Sequence, residues 1–181
     1  MANALTAKRL ELLREIVPKA ARVAVLVNPR NPMIVESTKR DALAAGAALG
    51  LQINFVEAST VSEIDLAFAQ RFDAFVASGD QYFVSLRDQI ASSAIRYAVP
   101  AIHEVPEFAE AGGLMSYGAD LEDANRLTGV YVARVLKGEK PADLPVQLAV
   151  AVRLVINLKT AKSLGLTVPS TLLGRADAVI E

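Results

Sequence analysis

The sequence contains no cysteine and a single histidine, His103. Without cysteine the chain can form no disulfide, no thiolate nucleophile and no Cys-ligated zinc or iron–sulfur site. Its charges nearly balance, with 19 basic and 20 acidic residues and a formal net charge of −1. A surface that binds nucleic acid needs a basic face, so we expect no nucleic-acid partner.

Long apolar runs are also missing. The longest, residues 144–158, is interrupted by polar and breaking residues such as Pro145 and Arg153, so it is too short and too polar to cross a bilayer. Residues 1–10 have neither the apolar core nor the small-residue cleavage site of a secretory signal. We therefore expect no signal peptide in the sequence as given.

The motifs of the common nucleotide-binding and hydrolytic enzymes are absent. There is no GxGxxG and no GxxxxGK[ST]. A nucleophile elbow around Ser116 fails because Leu114 occupies the position of its first glycine. We predict a protein that is not an enzyme and that has no catalytic residues, no cofactor and no metal site.

Strand-like apolar runs alternate with helical patterns over the first half of the chain. A continuous apolar run such as residues 22–28 is typical of a strand buried on both faces of a parallel sheet. The alternation predicts an α/β fold, an open parallel sheet with helices on both faces. The predicted strands are residues 22–28, 51–57, 73–78 and 100–103, and the predicted helices 6–17 (with Thr6 as N-cap), 33–49, 62–70 and 82–97.

The regular alternation of strand and helix patterns ends after residue 104. Here we predict a helix over 106–111, a helix over 121–136, a linker at 140–145, a strand at 153–157, a helix over 158–164 and a helical tail between 169 and 180. The chain then divides into three segments. Residues 1–104 form an α/β domain, 105–150 a hinge crossing with a helix of another lobe, and 151–181 a return strand and C-terminal helices that pack on the first of these segments.

Small and polar residues follow the predicted strands. The first strand ends at Asn28 and is followed by Asn31, the third runs into Ser78 and Asp80, and the fourth is followed by Glu104. The carboxyl ends of parallel strands share one edge of a sheet, where open α/β folds bind ligands. We therefore expect these residues to lie together, with Asp80 able to pair with an ammonium group.

Two interpretations of these residues stay open at this point. Asn28, Asn31 and Asp80 either face a ligand or cap helices and shape turns. His103, at the end of the fourth strand beside Glu104, either has a general acid–base role or is a packed residue at a hinge. Packed histidines of this kind are the commoner case.

Five segments together resemble the ABC transporter substrate-binding protein family, in the expected order and over nearly the whole chain. They are AKRLELLR (7–14), RVAVLVNP (22–29), EAGGLMSYG (110–118), LKGEKPADLP (136–145) and LVINLKTAK (154–162) with GLTVP (165–169). The family includes binders of tryptophan and other aromatic amino acids. Its type I periplasmic-binding fold has two α/β lobes with the ligand in the cleft between them.

The resemblance implies a periplasmic solute-binding protein that captures an amino-acid-like ligand, closes by hinge motion and docks on a membrane permease. It places residues 1–104 in the second lobe and the helix over 121–136 in the first lobe, most of which has no counterpart here. It also implies a ligand-facing loop with Ser78, Asp80 and Gln81. From the same resemblance we add Ser116 and Tyr117 to the ligand-binding candidates.

Two other interpretations remain. One is a remnant that binds no ligand and forms a homodimer through the apolar face of residues 121–136, which carries Leu127, Val130, Tyr131 and Val135. With one wall of the cleft present, ligand affinity is then expected to be weak or undetectable. The other is a flavodoxin-like enzyme or sensory domain, although Asn28 and Pro29 stand where a phosphoacceptor receiver has acidic residues.

Overall fold

The computed structural model describes residues 2–145 and 151–181. The last part of the predicted 105–150 segment, residues 146–150, lies outside the described residues. The strands are β1 Arg22–Val27, β2 Gln52–Glu57, β3 Ala74–Ala77, β4 Ala101–His103, β5 Met115–Ala119, β6 Val152–Asn157 and β7 Ala178–Ile180. The helices are α1 Ala2–Ile16, α2 Pro32–Leu49, α3 Val61–Ala69, α4 Gln81–Ser85, α5 Arg87–Arg96, α6 Pro106–Glu110, α7 Leu121–Leu136, α8 Leu158–Ser163 and α9 Ser170–Leu173, with a 3-10 turn at Pro141–Asp143.

The strands form one sheet in the order β2-β1-β3-β4-β5-β6-β7. Strands β1 to β5 are parallel to one another, β6 runs antiparallel to β5, and β7 is parallel to β6. The predicted parallel sheet over residues 22–104 is confirmed. It continues past residue 104, because β5 to β7 extend the same sheet.

Helices cover both faces of the sheet, as predicted. Alternate residues of β1 pack into two separate apolar clusters: Val23, Val25 and Val27 face α1 and α2, whereas Ala24 and Leu26 face α3 and α5. This alternation follows from the two-residue period of a strand. Both faces are apolar, so the interior of the sheet offers no place for a ligand.

Three local predictions are wrong. Helix α1 begins at Ala2, so Thr6 does not cap it but lies buried within it. The helix predicted over residues 82–97 divides into α4 and α5, because the backbone leaves helical values at Leu86. The tail is not a single helix, since α9 is short and β7 adds β-forming residues to the sheet edge beside β6.

Helix α7 stands apart from both apolar clusters. Residues 122–136 include no buried side chain, and Val132 and Leu136 are 52% and 81% exposed. The helix packs instead along the segment that follows it, where the Tyr131 hydroxyl donates to the Pro145 carbonyl at 2.6 Å. Because β5 is parallel to β4, α7 begins at the carboxyl edge of the sheet.

A bilayer-spanning helix needs both length and apolar content. None of the helices in the described part of the chain combines the two.

The Asp73 carboxylate joins the amino ends of β1 and β3. It accepts hydrogen bonds from the backbone N–H groups of Arg22 and Ala21, at 2.8 and 2.9 Å, and these bonds hold the pKa of Asp73 below its usual range. We expect Asp73→Asn to lower the free energy of unfolding at pH 7 by about 1 kcal/mol or less, because the group is exposed and screened.

The sign of the pH dependence follows from the lowered pKa. The stabilisation is complete above the pKa of the unfolded chain and is lost as the pH falls through the folded value. The difference in melting temperature between wild type and Asp73→Asn, measured from pH 7 to pH 3, should therefore shrink on acidification. A difference that does not change with pH would contradict this account.

Candidate functional site

The carboxyl edge of the sheet gathers the polar residues that follow β1, β3 and β4. The parallel register places Asn28, Ser78 and His103 at this one edge, as predicted. We refer to Asn28, Asn31, Ser78, Gly79, Asp80 and Glu104 together as the rim. All six lie beyond the apolar interior of the strands, in the position where open α/β sheets bind ligands.

Asp80 links the loops that follow β1 and β3. Its carboxylate accepts from the side-chain amides of Asn28 and Asn31, each at 3.1 Å, and from the Tyr82 backbone N–H at 2.9 Å. The last bond caps α4, so the interpretation of Asp80 as a helix cap is correct. The two asparagine bonds go beyond capping, because they join residues about 50 positions apart in the chain.

The charge of Asp80 is not balanced by any basic side chain. Asp80 is 3% exposed, yet no Lys or Arg of the described residues lies within ion-pair distance of it. Its three donors are all neutral N–H groups. A buried carboxylate is costly without an opposite charge, so this group is suited to receive a cation from outside the chain.

Glu104 lies beside Gly79 at the rim. A Cβ on Gly79 would overlap the Glu104 carboxylate, so the absence of a side chain there makes room for it. The same carboxylate pairs with Arg9 of α1, with 3.2 Å between Glu104 Oε2 and Arg9 Nη2. Unlike Asp80, Glu104 therefore has a basic partner within the fold.

His103 and Ser116, and Ser78 of the rim itself, are fully buried. His103 Nε2 and the hydroxyls of Ser78 and Ser116 make no hydrogen bond within the described residues. His103 Nδ1 accepts from the Val105 N–H at 3.3 Å, and the ring stacks on Phe108. Burial, with the positive charges of Arg9 and Arg87, lowers the pKa of His103 to about 3. The imidazole is therefore neutral and packed.

The remaining candidates differ in their surroundings. Gln81 is exposed next to Asp80. Tyr117 is half-buried against the cluster around α1, and its carbonyl accepts from Arg9 Nε at 2.8 Å. Ser116 pairs in register with His103 inside the sheet. The structure thus brings Asn28, Asn31 and Asp80 into direct contact, with Ser78 and Glu104 on either side of Gly79, and places Ser116 and Tyr117 deeper.

Sequence reasoning missed Arg9. Its side chain is 1% exposed and reaches both Tyr117 and Glu104. A signal was available, because position 9 lies at helical spacing from Leu12, Leu13 and Ile16, which all face the core. A charged residue on the apolar stripe of a helix is seldom buried without a partner.

The side chains of the rim are carboxylates, amides and a hydroxyl. The described residues include no cluster of three or more His, Asp or Glu side chains that could hold a metal ion. Carboxylate and amide oxygens at the rim are suited to an ammonium group.

Comparisons with known proteins give a family and several similar structures. The sequence model of the family described as ABC transporter substrate binding protein matches residues 2–180. A tyrosine-binding protein of Clostridioides difficile (strain R20291) is 24% identical over 159 residues, which is 87% of this chain and 46% of that protein.

Two solved structures are similar over nearly the whole chain. A conserved domain protein of Vibrio cholerae is 27% identical, with a TM-score of 0.82, over 96% of this chain and 60% of that one. An ABC domain of Streptococcus pneumonia in complex with L-Trp is 28% identical, with a TM-score of 0.80, over 97% of this chain and 60% of that one. The chain therefore spans about half to three-fifths of the length of these relatives.

The single histidine gives an unambiguous test of the site's electrostatics. We expect the imidazole resonances of His103 not to titrate between pH 5 and 8, because the folded pKa is about 3. The urea-unfolded chain is the control and should titrate near about 6.5. Since the unfolded chain then binds the extra proton, stability should fall as the pH drops below that value. A folded midpoint near the unfolded one would show that His103 is not packed as described.

Proposed function

The chain belongs to the ABC transporter substrate-binding protein family, and on that premise we propose that it binds a small amino-acid-like ligand for an ABC importer. The family consists of solute-binding proteins and not of enzymes, so the expectation that this protein is not an enzyme is confirmed. The interpretation as a flavodoxin-like enzyme is accordingly wrong.

The observation that carries this proposal is the unbalanced carboxylate of Asp80. It is fixed at the ligand-binding edge of the sheet by neutral donors from two loops, so its orientation is set before any ligand arrives. The α-ammonium of an amino acid supplies the missing positive charge. A preorganised partner of this kind avoids the entropy cost of ordering the group on binding.

An aromatic amino acid is the ligand class that we favour. One similar structure contains L-Trp, and a curated relative is named as a tyrosine-binding protein. In our proposal the ammonium end of the ligand meets Asp80, with Ser78, Gln81 and Glu104 around it. Asn28 and Asn31 support Asp80 from behind, while Ser116 and Tyr117 support the rim from within the sheet.

The partners and the compartment are part of the same proposal. A substrate-binding protein of this family works outside the cytoplasmic membrane, so we place the protein in the periplasm. There it would deliver its ligand to a membrane permease. Residues 1–104 would then form the second lobe, residues 105–150 the hinge crossing with a partial first-lobe helix, and residues 151–181 the return strand and helices that pack on the second lobe.

Asp80→Asn tests the ligand role. The amide keeps the shape and one acceptor for the Tyr82 N–H, so capping is largely retained while the charge is lost. We expect affinity for L-tryptophan to fall by about 1.5–3 kcal/mol, at least tenfold, because a charge-assisted hydrogen bond is removed. An NMR titration followed by amide shifts measures this even where binding is weak.

Asp73→Asn is the matched control, because it makes the same change on β3 at the opposite end of the strand. Its affinity should equal that of the wild type. If Asp80→Asn binds L-tryptophan as well as the wild type does, capping is the whole role of Asp80.

We propose in addition that this chain forms a homodimer through α7. Its apolar face and the following turn line a groove of about 620 Å³. The groove is lined by Leu127, Thr128, Tyr131, Val132, Val135, Leu136, Pro141, Leu144 and Pro145. Monomeric proteins seldom expose apolar areas beyond a few hundred Å², and a two-fold contact would let one α7 cover another.

Charge on this face should prevent association. We expect the wild type to be dimeric by light scattering, and the double change Val132→Glu with Leu136→Lys to be monomeric, because both side chains are exposed and one turn apart. Leu66→Lys is the control, since Leu66 is 66% exposed on α3 and outside the groove. A wild type that stays monomeric at high concentration would contradict the dimer.

A further inference from the structure

Arg9 is a buried charge whose partners lie on two different segments. Nε donates to the Tyr117 carbonyl on β5, and Nη2 donates to the Glu104 carboxylate in the loop after β4. The same two segments touch through their backbones, because a Cβ on Gly118 would overlap the Glu104 carbonyl oxygen. One guanidinium therefore holds the β4–α6 loop and the strand that leads into α7.

Packing alone does not explain an arginine at this position. A buried ion pair is often no more stabilising than apolar side chains of the same volume, because both charges lose their hydration. Burial lowers the pKa of Arg9, and the nearby Glu104 opposes that effect. The neighbouring positions of α1 are filled by leucines and an isoleucine. An apolar residue would fit that pattern, so the charge points to a role beyond stability.

The position of Glu104 shows what that role is. Its carboxylate lies against Gly79, the residue that immediately precedes Asp80. Arg9 neutralises Glu104, so the rim keeps the single unbalanced charge of Asp80. Without Arg9, the rim would carry a second carboxylate without a cationic partner, and like charges at one site repel each other.

We propose that Arg9 is a positioning residue of the ligand site, which fixes the Glu104 carboxylate beside the Asp80 loop and ties it to β5. This inference rests on the proposed function. The ligand's ammonium then meets two carboxylates, one oriented by asparagine amides and the other by Arg9. Because the same guanidinium holds Tyr117, the rim and the strand that leaves the sheet are fixed to each other.

The test uses Arg9→Lys, Glu104→Gln and the double variant, with L-tryptophan and its des-amino analogue 3-indolepropionate as probes. Lysine keeps the charge but is a point donor that cannot reproduce the two-sided contact of the guanidinium. We expect each single variant to bind L-tryptophan about tenfold more weakly, and the double variant to lose little more, because both changes break one arrangement.

The analogue separates positioning from general support of the fold. It lacks the ammonium group, so its affinity should change by less than about twofold in all three variants. Arg175→Lys is the control. Arg175 pairs at the surface with Glu15, which lies on α1 as Arg9 does. If Arg9→Lys weakens both probes equally, or leaves L-tryptophan binding unchanged, the proposal is overturned.

Hydrogen exchange decides the case in which the wild type does not bind one of the probes. Failure to bind L-tryptophan counts against the proposed function, whatever Arg9 does. If Arg9 holds Glu104 and Tyr117 together, backbone amide exchange in Arg9→Lys should be faster only in residues 104–105 and 117–119. Protection of the other amides should be retained. Unchanged exchange in those residues, or a uniform loss of protection, would overturn the role of Arg9.

Discussion

The apolar character of the central strands on both faces is the constraint on which the rest of this structure depends. Helices cover each face of β1, and a cluster of buried apolar side chains fills the space on each side. Polar side chains of the central strands therefore lie where those strands end. The parallel direction of β1, β3 and β4 brings those ends to one edge. The position of the rim is therefore a consequence of how the core is built.

The three ionisable side chains near this edge are accommodated in three different ways. His103 avoids charge, because desolvation lowers its pKa to about 3. Glu104 is compensated from within the fold by Arg9. Asp80 is satisfied in hydrogen bonds but not in charge, since its donors are amides and a backbone N–H. Of the two carboxylates, Asp80 is the one that has no basic partner among the described residues.

The sequence was sufficient to predict the edge but not the contacts made there. Two-residue and helical periodicities locate strands and helices, and parallel alternation then groups Asn28, Ser78 and His103. The meeting of Asn31 with Asp80 depends on the path of two loops, which periodicity does not report. Arg9 was missed because α1 was judged by its apolar residues. The terminal strand β7 was missed because a three-residue run gains its stability from pairing with β6 and not from its own pattern.

The apolar face of α7 is exposed, and β5 connects this helix to the edge of the sheet that carries the rim. A small-molecule site usually buries most of its ligand, whereas the rim is a single edge of one sheet and covers a ligand from one side. Strand β5 ends at that same edge, and α7 begins there after the Asp120 cap. Because Arg9 donates both to Glu104 at the rim and to the Tyr117 carbonyl of β5, the rim and the strand that leads into α7 are held to each other.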